Sequence, residues 1–293
     1  MLERLLAVVA VLAGFGLTDV QAAMEATPVV TGLSGLRDAA TDRRGKHFFY
    51  IADGSRGPAV FRVTLKNGRV EELYSGAPLV APRGITAAED EDEVYIADPQ
   101  AAGGGAVFVL DGDRLRRLVT GYQPRGIEAA DGSVYFTGHN PRNGKPGLYR
   151  VHEGGGRIGV VAEGAPFVHP VGVAIGRRGD AWVSDALSEG SGVATVVHVQ
   201  DRQATTFVAT PLRAGTPPGI ALTADESTVA LSGLGPDGRA LVYLIDTSSR
   251  AISTANNGIS LISGAGGLHR SANGRVFSWC GPPLGPVFKV TFD

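Results

Sequence analysis

Three aspartates end similar strings along the chain, FYIAD (49–53), VYIAD (94–98) and AWVSD (181–185), and a fourth lies in LRDAAT (36–41). Asp38, Asp53, Asp98 and Asp185 are therefore the candidate metal ligands, because a hard cation such as Ca²⁺ takes about six to eight oxygens. The competing reading is that an aspartate opening a loop caps its own backbone, a role a repeat would copy. Arg83 and Arg125 precede equivalent glycines in PRGITA (82–87) and PRGIEA (124–129). Two guanidinium forks at one locus, with His169 beside them, suit a carboxylate or phosphate. Solvated strand starts, or pairs with Asp38 or Asp98, are the alternative for these arginines. His139-Asn140 opens the polar loop HNPRNGKP and offers a base and an oxygen ligand, with simple solvation as its alternative, and His269 lies in GGLHRS (266–271). Asp38, Asp185 and His169 are the candidates for acid–base catalysis. His47, His152 and His198 read as structural. The chain has no G-x-S-x-G elbow around Ser184, no phosphate or dinucleotide loop and no zinc spacing. GAGG (264–267) is not followed by a helical pattern.

The elements that position these residues are short strands in a tandem array. FYIAD, VYIAD, VYFTG (134–138), AWVSD, VALSG (229–233) and VFSWC (276–280) recur at near-constant spacing. Each follows a string of the PRGITA kind and precedes an alternating strand such as AVFRVTL (59–65) or PVFKVTF (286–292). A turn and a fourth strand complete each unit. Six units of four strands predict an all-β, six-bladed β-propeller of antiparallel blades. The sixth unit lacks its outer strand, and TPVVTGL (27–33) is spare at the other end, so the N-terminal strand is expected to close the last blade.

Composition agrees with this architecture. Forty-two glycines and 17 prolines punctuate many short elements, and 43% hydrophobic residues argue against disorder. With 27 basic and 29 acidic side chains the net charge is −2, which gives no electrostatic case for nucleic acid. The single cysteine, Cys280, cannot form an internal disulfide and is expected to be buried beside Trp279.

Residues 1–22 read as a signal peptide. Arg4 precedes the apolar run LLAVVAVLAGFGL (5–17), and Val20-Gln21-Ala22 fits a cleavage site, although Glu3 offsets Arg4. An uncleaved anchor is the alternative. The expectation is a propeller over residues 23–293, secreted or periplasmic, monomeric, and with no membrane contact after cleavage.

In such a ring the loops entering the innermost strands and those leaving the second strands share one face, the top. Arg37, Asp38, Arg83, Arg125, His169, Pro218 and His269 then meet Asp53, Asp98, His139, Asn140, Asp185 and Cys280 around the channel mouth, the default binding site.

The unit P-x-G-I, V-Y-I-A-D, a Gly-rich loop and V-F-x-V resembles the six-bladed propellers of the NHL-repeat and gluconolactonase/regucalcin-like (strictosidine synthase-like) superfamily, over about residues 27–293. That resemblance implies architecture more than activity, because these propellers include lactonases, phosphotriesterases, lyases, synthases and binding modules. For gluconolactonase-like enzymes it implies one divalent ion held by a Glu of the first inner strand, an Asn before Gly and an Asp before Gly. In this sequence the corresponding residues are Asp38, Val171 before Gly172, and Pro218 before Gly219.

Three functions are carried forward. The first is binding of a small, anionic ligand or a partner at the top face through Arg83, Arg125, His139, Asn140 and His269, with no cofactor required. The second is a lactonase- or esterase-like hydrolase using a divalent cation. The third is a non-catalytic interaction platform.

Overall fold

The repeated strings fold as strands because alternating β-branched and aromatic residues fit a pleated sheet covered on both sides. The computed structural model describes residues 24–88, 93–255, 266–271, 274–281 and 283–292. The signal-peptide reading falls outside them. Among the described residues there is no helix long and apolar enough to cross a membrane.

The first strand is β1 (Met24–Val30). Blade 1 is β2 (Asp38–Thr41), β3 (His47–Gly54), β4 (Gly57–Thr64) and β5 (Arg69–Ser75). Blade 2 is β6 (Gly84–Ala87), β7 (Glu93–Asp98), β8 (Ala106–Asp111) and β9 (Arg114–Thr120). Blade 3 is β10 (Ile127–Ala130), β11 (Ser133–His139), β12 (Pro146–His152) and β13 (Gly159–Glu163). Blade 4 is β14 (His169–Ile175), β15 (Ala181–Ala186), β16 (Val193–Gln200) and β17 (Gln203–Arg213). Blade 5 is β18 (Ile220–Leu222), β19 (Thr228–Leu234), β20 (Ala240–Asp246) and β21 (Ile252–Ala255). Blade 6 is β22 (Leu268–Arg270), β23 (Phe277–Cys280) and β24 (Val287–Phe292), completed by β1.

That completion is the predicted closure. β1 runs antiparallel to β24 from Met24↔Phe292 to Val30↔Val287, with an irregularity between Pro28 and Val30. The closing strand lies three residues nearer the N-terminus than the string TPVVTGL suggests. Thr27–Val30 pair as expected, whereas Thr31, Gly32 and Leu33 have left the sheet to begin the loop into blade 1.

Burial follows position in the blade. The second strands β3, β7 and β15 are buried almost throughout, because a neighbouring blade covers each face, while the outer strands β5 and β9 are largely exposed. The core is divided among the contacts between adjacent blades. Phe49, Ile51 and Val60 of blade 1 pack on Ile85, Ile96 and Phe108 of blade 2, and comparable clusters join the other neighbouring pairs. Cys280 is buried in the cluster between blades 6 and 1, and burial raises its thiol pKa well above the ordinary range.

Near the channel the inner strands approach too closely for side chains. A Cβ on Gly126 would meet the Val171 carbonyl of the next blade. Polar bridges stitch the same layer. Thr137 Oγ1 accepts the Gly126 N–H at 2.9 Å and donates to Val171 O at 2.7 Å, while Ser184 Oγ accepts from Gly172 at 2.8 Å and donates to Pro218 O at 2.7 Å. Blades 1 and 2 have Ala52 and Ala97 at the matching places, and Asp38 spans that junction instead, its Oδ2 accepting the Ile85 N–H at 2.9 Å.

Candidate functional site

The position of Asp38 is set by pairing register. It lies opposite Ile51, as Ile85 lies opposite Ile96, Ile127 opposite Phe136, Val173 opposite Val183 and Ile220 opposite Leu231. An acid thus occupies a position that is aliphatic in four other blades. Its Oδ1 accepts the Ala39 N–H at 2.9 Å, and His269 Nε2 lies 3.2 Å from Oδ2. Burial opposes charge on His269, but the Asp38 carboxylate, with help from Glu128, outweighs it and raises the imidazole pKa.

Above this pair the top of the channel opens into a well of about 250 Å³. Residues from all six blades line it, among them Asp38, Arg83, Gln100, Arg125, His169 and His269. Both arginines of the repeated P-R-G therefore reach one cavity. The Arg125 side chain is only 13% exposed, and its nearest carboxylate is that of Glu189, 3.9 Å away on an exposed loop side chain. Desolvation lowers its pKa, Glu189 supports its charge and Arg83 opposes it. The Arg83 guanidinium has no ion pair among the described residues.

His169 lines the well, and His139, outside that lining, lies next to it. The rings of His139 and His169 are 6.0 Å apart, and His139 Nδ1 lies 3.4 Å from Arg125 Nη1. Burial first, and then the charge of Arg125, lowers both pKa values, that of His169 to about 4. Both rings are thus neutral at pH 7. His169 makes no side-chain hydrogen bond among the described residues, so its ring is available to a ligand.

The aspartates that end second strands take the loop-capping role. Asp98 accepts N–H groups from Val80 at 2.7 Å, Ala81 at 3.2 Å and Gln100 at 3.0 Å. Asp185 accepts from Val168 at 2.9 Å and His169 at 2.8 Å. Its pKa rises to about 6 because burial outweighs those donors. Asp53 is more open, accepting from Ser34 Oγ at 3.1 Å and facing Arg37 Nη2 at 3.8 Å. Each carboxylate ties the loop that enters its own blade, and among the described residues no three His, Cys, Asp or Glu side chains are grouped to hold a metal ion. The expected quartet of Asp38, Asp53, Asp98 and Asp185 is therefore not brought together. Nor do the residues fit the divalent ion of the gluconolactonase-like pattern: both Asp38 oxygens are engaged by protein donors, and Val171 and Pro218 supply no ligating side chains.

Other candidates divide cleanly. Asn140 turns away from the well, donating to Glu163 Oε2 at 2.9 Å and accepting the Arg142 N–H at 3.0 Å, so it organises its own loop. Ser184 is a bridge between blades rather than part of a hydrolytic set. His47 pairs with buried Asp42 at 2.9 Å, His198 with Asp180 at 3.2 Å, and His152 Nδ1 accepts the Gly154 N–H at 3.0 Å, all away from the well. The reading of the sequence missed Gln100, Gln123 and Glu189 on the lining loops, and Glu128 deeper in the channel. Glu128 was detectable. It follows P-R-G-I where blade 2 has Thr86, an acid on an innermost strand.

No protein-family model and no curated protein sequence matches the chain. Solved structures do. A gluconolactonase from Xanthomonas campestris superposes with a TM-score of 0.69 at 15% identity, over 92% of this chain and 90% of its own. A PQQ-bound aldose sugar dehydrogenase from Streptomyces coelicolor gives 0.68 at 14% identity, over 93% and 99%. A TolB-like structure from Agrobacterium tumefaciens gives 0.62 at 13% identity, over 93% and 98%. At these identities the likeness establishes the six-bladed propeller, with gluconolactonase-like and sugar dehydrogenase neighbours, and leaves activity to the site.

Proposed function

We propose that this chain is an exported propeller whose top well captures a carboxylate, carried by a small molecule or by a partner. The observation that supports this reading is the pair Arg83 and Arg125 lining one cavity, Arg83 with no ion pair among the described residues and Arg125 with only the exposed Glu189, 3.9 Å away. A guanidinium in a partly desolvated site binds a carboxylate through paired N–H donors far more strongly than it does in open water. Neutral His139 and His169 add donors or acceptors without adding charge. His269 and Asp38, 3.2 Å apart, form a charge-balanced pair at the floor.

The test is ligand-induced thermal stabilisation. Citrate, gluconate and the tricarboxylate PQQ are titrated against the mature protein. Saturation at about a hundredfold over Kd stabilises the protein by about 2.7 kcal/mol. The double variant Arg83→Ala, Arg125→Ala is expected to lose that stabilisation. Absence of any shift in the parent protein for all three compounds would reject the reading.

A second reading, an ester or lactone hydrolase, is favoured by one feature, the unpartnered neutral ring of His169 within reach of the same well. His169 would take the proton of the attacking water while the arginines hold the carbonyl side of the substrate. Asp38 and Asp185 serve as scaffolding in this version. Turnover of glucono-δ-lactone that disappears in His169→Ala while citrate binding persists would establish it. Equal rates in the two proteins would remove it.

A further inference from the structure

The large hydrophobic side chains left exposed are unevenly distributed between the faces. Among the described residues they are Val70, Val80, Val168, Leu187 and Leu284. Val70 lies on the outer strand β5. The remaining four all lie on top-face loops: Val80 and Val168 where the chain enters blades 2 and 4, Leu187 and Leu284 where it leaves β15 and β23. None lies on the bottom-face turns.

Register brings two of them together beside the well. His169 pairs with Ala186, and both line the cavity; Val168 and Leu187 are the loop residues immediately beyond the ends of those two strands. They are 55% and 45% exposed, so an apolar step adjoins the well that holds Arg83 and Arg125. The loop that carries Val168 is fixed from beneath by Asp185, which spends its charge on two backbone N–H groups. This rim is pre-organised, which lowers the entropy lost when something lands on it.

Hole and rim together constrain the occupant. All six blades wall the well, so it is a pit rather than a groove. A chain end can enter a pit, whereas an internal segment must double back through the same mouth. Apart from the adjacent Val168 and Leu187, the apolar residues sit on different blades around the mouth and form no walled channel that would keep an acyl chain from water. Separate apolar contacts around a buried arginine are the pattern of a protein interface.

We propose that the top face receives the C-terminus of a partner protein, its terminal carboxylate on Arg83 and Arg125 and apolar residues just before it on Val168, Leu187 and Val80. The proposal rests on the carboxylate reading of the well and adds the identity of the carrier.

The experiment uses one octapeptide pool randomised at its last three positions, synthesised with a free C-terminal carboxylate and again as the carboxamide, and passed over the immobilised mature protein. The free-acid pool is expected to be retained at least about tenfold better than the amide pool, with apolar residues enriched at the randomised positions. The double variant Val168→Ser, Leu187→Ser is expected to lose about tenfold of that retention while its citrate-induced thermal shift and its unliganded melting temperature stay unchanged. Citrate stabilisation with no preference for free-acid over amide peptides overturns the partner and leaves the well intact. Retention unaffected by the double variant overturns the rim. Failure of both citrate and peptides removes the carboxylate reading and this proposal with it.

Discussion

The two mouths of the channel enclose nearly equal volumes, about 250 Å³ at the top and 260 Å³ at the bottom, and handle charge in opposite ways. At the bottom two of the lining arginines answer one acid. Arg177 and Arg270 each lie 4.0 Å from Glu226 Oε1, Arg270 Nη1 donates to Thr223 O at 3.2 Å, and Arg177 Nη2 donates to Ala224 O at 2.6 Å. At the top, Arg83 and Arg125 face the cavity together while the nearby acids Asp98 and Asp185 are occupied by backbone N–H groups. Arg125 still meets Glu189 at 3.9 Å, so the contrast rests on Arg83, which lines the top well with no ion pair among the described residues, whereas Arg177 and Arg270 below both meet Glu226. Cavity size does not distinguish the two mouths; the pairing of their arginines does.

Three perturbations test that contrast, the largest first. Deleting Met24–Val30 strips β24 of its outer partner, leaves it paired only with β23 and exposes the edge of blade 6 where the two ends of the chain meet. Thermal unfolding is expected to fall by more than about 10 °C, because the lost pairing carries several kcal/mol. An unchanged melting curve would mean that the ring does not need its clasp.

The next compares arginines directly. Arg270→Ala at the bottom removes a half-buried partner of Glu226 and Thr223 and is expected to cost about 1–3 kcal/mol in chemical denaturation. Arg83→Ala with Arg125→Ala at the top is expected to be neutral or slightly stabilising, since it relieves repulsion between like charges. Equal costs at the two ends would erase the distinction.

The smallest effect concerns the middle of the channel. Glu128 has its pKa raised to about 7, by burial first, with Arg270 and His269 acting against the rise. An acid whose folded pKa lies above its unfolded value of about 4.3 contributes proton-linked stability below that lower value and loses it as pH climbs through about 7. Glu128→Gln lacks this loss. Between pH 5 and pH 8 its stability relative to the parent is expected to improve by on the order of 1 kcal/mol, read from melting curves at each pH. A pH-independent difference would place Glu128 in contact with water rather than inside the ring.

The ring itself was legible in the sequence because its physical cause is local and repeated. Alternation in FYIAD and VYIAD forces strands, and the glycines before Ile85 and Ile127 mark where inner strands crowd. The site was legible where a residue sits at the entry to an inner strand: the repeat copied Arg83 and Arg125, and Asp38, His169, Pro218 and His269, placed at the mouth by the same argument, also line the well. Asp38 looked like a counterpart of Gly84, both third in their strings, yet its register places it with Ile85. Pairing, a long-range property, decides that, and strings of similar letters do not. The choice between capping and metal binding for Asp98 and Asp185 could not be made from the sequence either. A carboxylate beside a loop has the same letters whether its oxygens meet N–H groups or an ion. Asn140 misled for the same reason, because its partner Glu163 lies on a different strand of the blade.

The clasp also fixes the face at which the described chain enters and leaves the ring. Because Met24 lies opposite Phe292, the first and last strands meet at the lower outer corner of blade 6, on the side remote from the well. A chain entering at Met24 or continuing from Phe292 would therefore meet the ring on the face opposite the arginine mouth.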